Sequence, residues 1–364
     1  MNSKYASPLV ITSVVFAFIF AVASNTHAIV IVPSGSGNVV APADDPGWLN
    51  VANRGIYLGN RWVLTAHHVG PGQTVFPGVG TFDFEAGSDV RITNPTGMDL
   101  TTNTDLVVYR LQTDPGLPSL NIAATTPAAG TTVTLIADGA VRDSNGLIEW
   151  DVVENSPTEW IWTEVPSSGD YSGYGTSGFG KRWATNEVAQ TVVEDPTLVE
   201  VDSGSGDVIS FTTDFNLSGG MTNEGQAALG DSGGAIFSKN SFGVWELSGV
   251  IHSVGTYEDQ PFPGQTAIDG NPTYAADLSA YRSQIQNVIG VAAVPEPGGL
   301  SLLVIAMPML SVARRRRTSW RSFNSQPIRK NQSPLNRCEV IGFDRPASDP
   351  TVGERVHSQC RRTT

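Results

Sequence analysis

Cysteine and basic side chains are scarce in this chain of 364 residues. The only two cysteines, Cys338 and Cys360, lie near the C-terminal end, so the main body must fold without a disulfide and depends on its core. Residues 29–294 hold 30 acidic and 9 basic side chains, and the formal net charge of the chain is −13. Because an acidic body repels phosphate backbones, no nucleic-acid partner is expected.

The body also lacks long hydrophobic runs and a high density of charge. Hydrophobic residues make up 40% and charged residues 16% of the chain, with 38 Gly and 23 Pro. This apolar fraction is ample for a packed core. Short apolar runs between turn-forming residues indicate an all-β chain. Strands are predicted at residues 55–58, 62–65, 106–111, 131–137, 148–153, 160–164, 190–193, 207–212, 235–237 and 245–252.

Two kinds of segment complete the secondary-structure prediction. The longest helix-like pattern covers residues 279–289, where apolar side chains share one face and Ser279 can cap the start. Residues 170–180 and 201–207 are rich in glycine and serine, and we predict that both are surface loops.

The N-terminal end lacks the ~20 apolar residues of a confident membrane span. Lys4 precedes an apolar run at residues 8–23, which predicts a secretory signal peptide over residues 1–28. Cleavage after Ala23 fits the small-x-small rule best, whereas cleavage after Ala28 would make Ile29 the new N-terminus. A retained single-span anchor is the alternative.

The C-terminal end contains three features in a fixed order. Pro295-Glu296-Pro297 is followed by an apolar run at 298–313 and by four arginines at 314–317. Residues 291–317 therefore resemble the PEP-CTERM sorting signal. The resemblance implies processing by an exosortase-like enzyme, membrane contact before processing and a location at the cell surface or outside the cell. An ordinary C-terminal anchor is the alternative. Residues 318–364 depart from the family pattern and are predicted to be a disordered basic tail.

Three short stretches carry the chemistry of a nucleophilic hydrolase. His67 and His68 end an apolar strand, Asp105 opens another strand, and Ser232 lies among glycines in Gly-Asp-Ser-Gly-Gly. A serine hydroxyl needs a base to take its proton, and an imidazole suits that task near neutral pH. A buried carboxylate can then fix the tautomer of the imidazole. The backbone N–H groups of Gly230 and Ser232 can stabilise a developing oxyanion.

These stretches resemble those of the trypsin/chymotrypsin-like serine proteases. The resemblance implies two six-stranded antiparallel β-barrels with a short C-terminal helix, over residues 29–290, flanked by the export and anchor segments. It makes His68 the base, Asp105 the residue that orients it and Ser232 the nucleophile; His67 is predicted to face away. The usual bracing cysteines are missing, and Val69 stands where the family often has cysteine.

The same resemblance suggests further residues around the site. Gln226, six residues before the nucleophile, Ile251 and His252 are candidates for substrate binding, although a structural role is the alternative for His252. Asp231 would receive the ammonium group of Ile29 if cleavage falls after Ala28; otherwise it only stabilises the turn. Trp150, Trp160, Trp162 and Trp183 are predicted to be core or loop anchors.

No cofactor or metal is expected, because no zinc, nucleotide or calcium-loop motif occurs; the nearest candidates for calcium are Asp44-Asp45 and the loop 202–207. The sequence thus predicts an exported serine endopeptidase that hydrolyses peptide bonds in protein or peptide substrates through an acyl-enzyme. The alternative is a non-catalytic surface β-protein, either an adhesin or matrix component or an inactive protease homologue.

Overall fold

The computed structural model describes residues 29–32, 37–156, 158–262 and 264–290, and the backbone of residues 338–342. In chain order the strands are β1 Val30–Ile31, β2 Val51–Ala52, β3 Gly55–Gly59, β4 Trp62–Ala66, β5 Thr74–Phe76, β6 Gly80–Phe82, β7 Val90–Thr93, β8 Asn103–Arg110, β9 Thr132–Arg142, β10 Ile148–Ser156, β11 Glu159–Val165, β12 Tyr171–Gln190, β13 Val201–Asp202, β14 Asp207–Val208, β15 Ser210–Asp214, β16 Gly225–Gln226, β17 Ala235–Lys239, β18 Trp245–Tyr257, β19 Thr266–Ile268, β20 Pro272–Asp277 and β21 Cys338–Gly342. The helices are the 3₁₀ turns Trp48–Asn50 and Pro196–Val199 and the α-helix α1, Leu278–Ile289.

The second half of the chain closes into a barrel. Its six strands pair in the order β12, β15, β20, β18, β17 and β9, and β9 pairs back to β12 to complete the ring. All of these pairings are antiparallel. Closure leaves no edge strand in the ring itself. The hairpin of β10 and β11 extends from β12 outside the ring.

The first half is built around a five-stranded antiparallel sheet in the order β2, β3, β4, β8 and β7, beside a two-stranded ribbon of β5 and β6. An isolated bridge joins Phe84 to Leu111 at the rim of this unit. The predicted all-β class with a short C-terminal helix is confirmed. Of the two predicted six-stranded barrels, the described residues show one closed ring; this half pairs as a five-stranded sheet and a separate two-stranded ribbon.

The main hydrophobic core lies between the two halves. Leu64, Leu106 and Val108 from the first sheet pack with Ile136 and Phe237 from the outer face of the barrel. A second cluster fills the barrel interior with apolar side chains that include Leu135, Ile236 and Ile251. Each large apolar side chain buried in this way contributes about 1.5–3 kcal/mol, which explains how a body without disulfides holds two units together.

Helix α1 confirms the predicted C-terminal helix and corrects its cap. Leu278, Tyr281, Ile285 and Ile289 are buried at helical spacing. The carboxylate of Asp277 accepts the backbone N–H of Ser279 at 2.9 Å, so Asp277 and not Ser279 is the N-cap. The helix begins at Leu278, so Ser279 lies inside its first turn and its backbone N–H is the group that is capped.

Two local predictions are wrong, and the loop predicted at 201–207 is limited to residues 203–206, because β13 and β14 pair on either side of it. Residues 171–180 form the first part of β12 rather than a loop, because the glycines there allow close approach of neighbouring strands. A Cβ atom at Gly173 would lie 2.2 Å from the carbonyl oxygen of Ala267 on β19. Residues 191–193 form a turn after β12, in which the hydroxyl of Thr191 bonds Glu194, so the strand predicted at 190–193 ends at Gln190.

The predicted signal peptide and sorting signal, residues 1–28 and 291–317, lie outside the described residues. Within the predicted tail, only the backbone of β21 is described, and it pairs with β18. Among the described residues, none of the helices has the length and apolar character needed to span a bilayer.

Candidate active site

His68 and Asp105 are brought together by the pairing of β4 with β8. Ala66 at the end of β4 lies opposite Leu106 near the start of β8. The pairing continues one step further, because the N–H of His67 donates to the carbonyl oxygen of Asp105 at 3.0 Å. The chain then turns, and the side chain of His68 folds back over Asp105. The local sequence therefore places an imidazole beside a carboxylate through ordinary strand register.

The Asp105 carboxylate holds His68 at two points. One oxygen, Oδ2, lies 2.6 Å from Nδ1 of the imidazole, and the other, Oδ1, accepts the backbone N–H of His68 at 2.9 Å. The two side chains are only 3% and 0% exposed. Burial opposes ionisation of Asp105, but the hydrogen bonds and charge of His68 outweigh it and hold the pKa of this carboxyl below its usual value.

This contact fixes the tautomer of His68. Since an ionised carboxylate only accepts hydrogen bonds, Nδ1 carries the proton and donates it to Asp105. The other ring nitrogen, Nε2, is buried and has no hydrogen-bond partner among the described residues. His68 thus presents an unused basic lone pair at the end of an oriented ring.

His67 does not share this arrangement. Only its backbone contacts Asp105, and its ring nitrogen Nδ1 is buried without a partner in the described part of the chain. Burial, reinforced by the nearby charge of Arg91, lowers the pKa of His67. Of the two adjacent histidines, only His68 pairs with the carboxylate through its side chain.

The nucleophile candidate Ser232 lies in the loop between β16 and β17. Gly230 and Gly233 both have positive φ angles, 89° and 81°, which glycine adopts without strain. A Cβ atom at Gly233 would lie 2.4 Å from Oγ1 of Thr65 on β4. Glycine is therefore required here for close contact with the strand that leads to His68.

Hydrogen bonds fix this loop against β18. Gly233 N–H donates to the carbonyl oxygen of Ile251 at 2.8 Å, and Ile251 N–H donates to that of Gly234 at 2.9 Å. Inside the loop, the carboxylate of Asp231 accepts the N–H of Ala228 at 2.7 Å. The loop that carries Ser232 is thus bonded to the barrel and packed against the first half.

Four groups at the centre of the site have no hydrogen-bond partner among the described residues. The hydroxyl oxygen of Ser232 is buried without a hydrogen-bond partner among the described residues, like Nε2 of His68. Within the same residues, the backbone N–H groups of Gly230 and Ser232 donate no hydrogen bond. No hydrogen bond therefore joins Ser232 to His68 in this structure. Catalytic hydrogen bonds are often long or absent without substrate and tighten when it binds.

The three residues predicted to bind substrate are all buried. Ile251 is 1% exposed behind the nucleophile loop, and Gln226 is 2% exposed, with its backbone paired to Val30. His252 is fully buried. None of these side chains is open to a ligand in this structure, and their contact with substrate stays a prediction.

His252 has a polar setting of its own. The hydroxyl of Ser210 lies 2.9 Å from Nε2, and the hydroxyl of Ser253 lies 2.9 Å from Nδ1. Burial lowers the pKa of His252 to about 4, although the charge of Asp105 acts in the opposite direction. His252 is therefore a neutral, satisfied histidine behind the His68–Asp105 pair. Sequence reasoning missed Ser210 as its partner, because 42 residues separate the two positions and no motif connects them.

The segment that follows the predicted signal peptide enters the barrel. Val30 and Ile31 form β1 and pair with Gln226 and Gly225, just upstream of the nucleophile loop. Ile29 is 1% exposed and has a φ of 58°, which is strained for a β-branched residue. The predicted contact between an Ile29 ammonium and Asp231 stays a prediction.

The carboxylates considered for calcium have protein partners. Asp44 accepts hydrogen bonds from Lys239 and Trp245, and Asp207 accepts the N–H of Thr101. In the described ranges, no group of three or more His, Cys, Asp or Glu side chains is arranged to hold a metal ion.

Comparison with known proteins adds little to this geometry. No family model matches the chain, and neither does any curated protein. Among solved structures, the chain is similar to neuropsin, described as a serine protease expressed in the limbic system of mouse brain. The sequence identity is 16%, the TM-score is 0.38, and the match covers 70% of this chain and 99% of neuropsin.

Proposed function

We propose that this protein is a serine endopeptidase with His68, Asp105 and Ser232 as its catalytic residues. The observation that carries the proposal is the buried pair of His68 and Asp105, joined at 2.6 Å, with Nε2 of His68 left free. A buried imidazole in a fixed tautomer is what a general base requires. The free hydroxyl of Ser232 and the free N–H groups of its loop supply the other two parts of an acyl-transfer site.

The reaction begins when the Ser232 oxygen attacks the carbonyl carbon of a peptide bond and its proton passes to Nε2 of His68. Asp105 stabilises the imidazolium that forms. The carbonyl oxygen becomes negative and accepts hydrogen bonds from the N–H groups of Gly230 and Ser232. Each such donor typically contributes roughly 2.7–4 kcal/mol to lowering the barrier.

The tetrahedral intermediate then collapses. The C–N bond breaks, the leaving amine takes the proton from His68, and the acyl group remains on Ser232 as an ester. A water molecule attacks this ester, gives its proton to His68 and releases the acid, and the proton returns to Ser232. No cofactor enters any of these steps.

A set of single variants tests the assignment. Ser232→Ala and His68→Ala should abolish cleavage of an unfolded protein such as casein, while far-ultraviolet circular dichroism stays that of the parent. His67→Ala is the matched control, because the neighbouring imidazole makes no side-chain bond to Asp105, and it should keep most of the activity. Loss of activity on substitution of His67 but not of His68 would overturn the assignment.

The second candidate is an inactive homologue that serves as a surface β-protein. It is favoured by the missing hydrogen bond between Ser232 and His68. In that case wild type and Ser232→Ala would be equally inert towards casein.

We also propose that the enzyme is exported and sorted to the cell surface. The order of Pro-Glu-Pro, apolar run and arginines at residues 295–317 supports this. The intact mass of the exported protein tests it. A chain that begins at residue 24 or 29 and ends near 297 agrees with sorting, whereas a chain that retains residues 1–364 contradicts it.

A further inference from the structure

One edge of β18 runs past the nucleophile loop and carries a strand from the chain's own tail. Strand β17 pairs with β18 as far as Ala235 and Val250, and the loop that carries Ser232 then takes its place by bonding Ile251. Strand β20 occupies the opposite edge of β18 as far as Val254. Strand β21 pairs with Ser253–Tyr257. Because β20 occupies the other edge at Ser253 and Val254, β21 lies on the edge that carries the nucleophile loop.

The direction of β21 aims its carboxyl end at the nucleophile. The pairing is antiparallel, with Cys338 opposite Tyr257 and Gly342 opposite Ser253. Ser253 lies two residues beyond Ile251, to which the loop is bonded, a separation of roughly 7 Å along the strand. The last carbonyl of β21 is therefore the part of this strand nearest to Ser232.

We propose that Cys338–Gly342 is an autoinhibitory strand that competes with peptide substrates for the β18 edge. The inference rests on the peptidase function proposed above. An extended peptide is recognised most simply by adding a strand to a free edge, through main-chain hydrogen bonds. Residues 253–257 offer the edge next to the nucleophile, and β21 takes up those hydrogen bonds.

Charge and tethering both favour docking of this segment. Residues 314–364 hold 12 basic and 4 acidic side chains, whereas residues 29–294 hold 30 acidic and 9 basic ones, so the tail and the body attract each other. Residues 291–337 link the strand covalently to helix α1. Because docking is intramolecular, the effective concentration of the strand can reach the order of millimolar, so a strand of modest intrinsic affinity stays docked.

Autoinhibition by β21 is also linked to the proposed sorting of the chain. Anchoring of residues 298–313 across a membrane would place β21 and the barrel on opposite sides and undock the strand. Cleavage near residues 295–297 would then make this release permanent. Docking requires the tail and the barrel to lie on the same side of a membrane, and it therefore concerns the chain before it is anchored across one.

Proline substitutions in the full chain test the proposal. Val340→Pro with Ile341→Pro removes two backbone N–H groups and disfavours pairing of β21. Thr351→Pro with Val352→Pro is the matched control elsewhere in the tail. For a strand docked about 90% of the time, KM for an extended peptide should fall about tenfold in the first variant, with kcat unchanged, and should stay at the wild-type value in the control.

Amide hydrogen exchange measures the docking of β21 and does not depend on catalytic turnover. Gly255 and Thr256 lie beyond the last pair of β18 with β20, so whichever of their amides faces β21 is protected by that strand. Protection in wild type and control, lost in Val340→Pro/Ile341→Pro, supports docking; rapid exchange in the wild type overturns it. If the amides are protected in the wild type but KM does not change in Val340→Pro/Ile341→Pro, the strand docks without inhibiting, and the inhibitory role is overturned. If no form shows turnover, or labelling by a fluorophosphonate, the peptidase function fails and the inhibitory role with it.

Discussion

Acidification should destabilise the folded chain in large part through His252. Its pKa is near 6.5 in an unfolded chain and is lowered to about 4 by burial in the fold. Between these two values the unfolded state binds a proton that the folded state does not, so stability is lost as the pH falls. The contribution is complete above pH ~6.5 and decreases progressively towards pH ~4.

The size of the effect follows from the difference between the two pKa values. One pKa unit corresponds to about 1.4 kcal/mol, so the full contribution is about 3 kcal/mol, of which roughly 2–3 kcal/mol is lost by pH 4.5. The hydroxyl groups of Ser210 and Ser253 satisfy a neutral ring. Because the hydroxyl of Ser210 donates to the carbonyl oxygen of Val208, it accepts from Nε2–H, and the hydroxyl of Ser253 donates to Nδ1 of the neutral ring. A charged ring would require the hydroxyl of Ser253 to accept from Nδ1–H instead.

The assay is urea unfolding of wild type and of His252→Gln at pH 7.5 and pH 4.5. Glutamine can donate and accept hydrogen bonds but does not titrate. The free energy of unfolding should fall between the two pH values by roughly 2–3 kcal/mol more in wild type than in the variant. His67→Gln is the control, since the ring of His67 is only partly buried, and it should follow wild type more closely. Equal losses in wild type and His252→Gln would refute the reasoning.

Three further predictions concern the site and its support. Asp105→Asn should leave His68 without its tautomer partner and lower kcat by about 10⁴-fold in steady-state assays; an unchanged kcat would contradict the role of Asp105. Gly233→Ala should destabilise the fold by at least about 2 kcal/mol in urea, because the new Cβ meets Thr65 and φ is positive, and Thr65→Ala in the same chain should recover part of this. Asp277→Ala should lower the melting temperature through loss of a cap worth about 1 kcal/mol; no change would contradict the cap assignment.

The residues of the candidate site were predictable where chemistry and local sequence agree. An apolar strand that ends in histidine and another that begins with aspartate become neighbours as soon as β4 pairs with β8, so the contact between His68 and Asp105 follows from short stretches. The role of the glycines around Ser232 can likewise be inferred from the local sequence. The C-terminal helix was predictable because its apolar spacing is regular.

What could not be predicted depends on distant contacts. The sequence of residues 171–180 predicts a loop, because glycine weakens a strand. In the structure, however, β19 approaches Gly173 so closely that this position needs a residue without a side chain. The burial of His252 depends on Ser210, which comes from another strand of the barrel. The position of β21 beside the nucleophile could not be foreseen either, because a polar, basic segment carries no periodic signal.

Covalent labelling tests the central claim most directly. The purified protein should react with a fluorophosphonate and gain one phosphonyl group, and peptide mass mapping should place that group on Ser232. Denatured protein and the His68→Ala variant should not react. An intact native protein that gains no adduct, or gains one on a residue other than Ser232, would contradict the account.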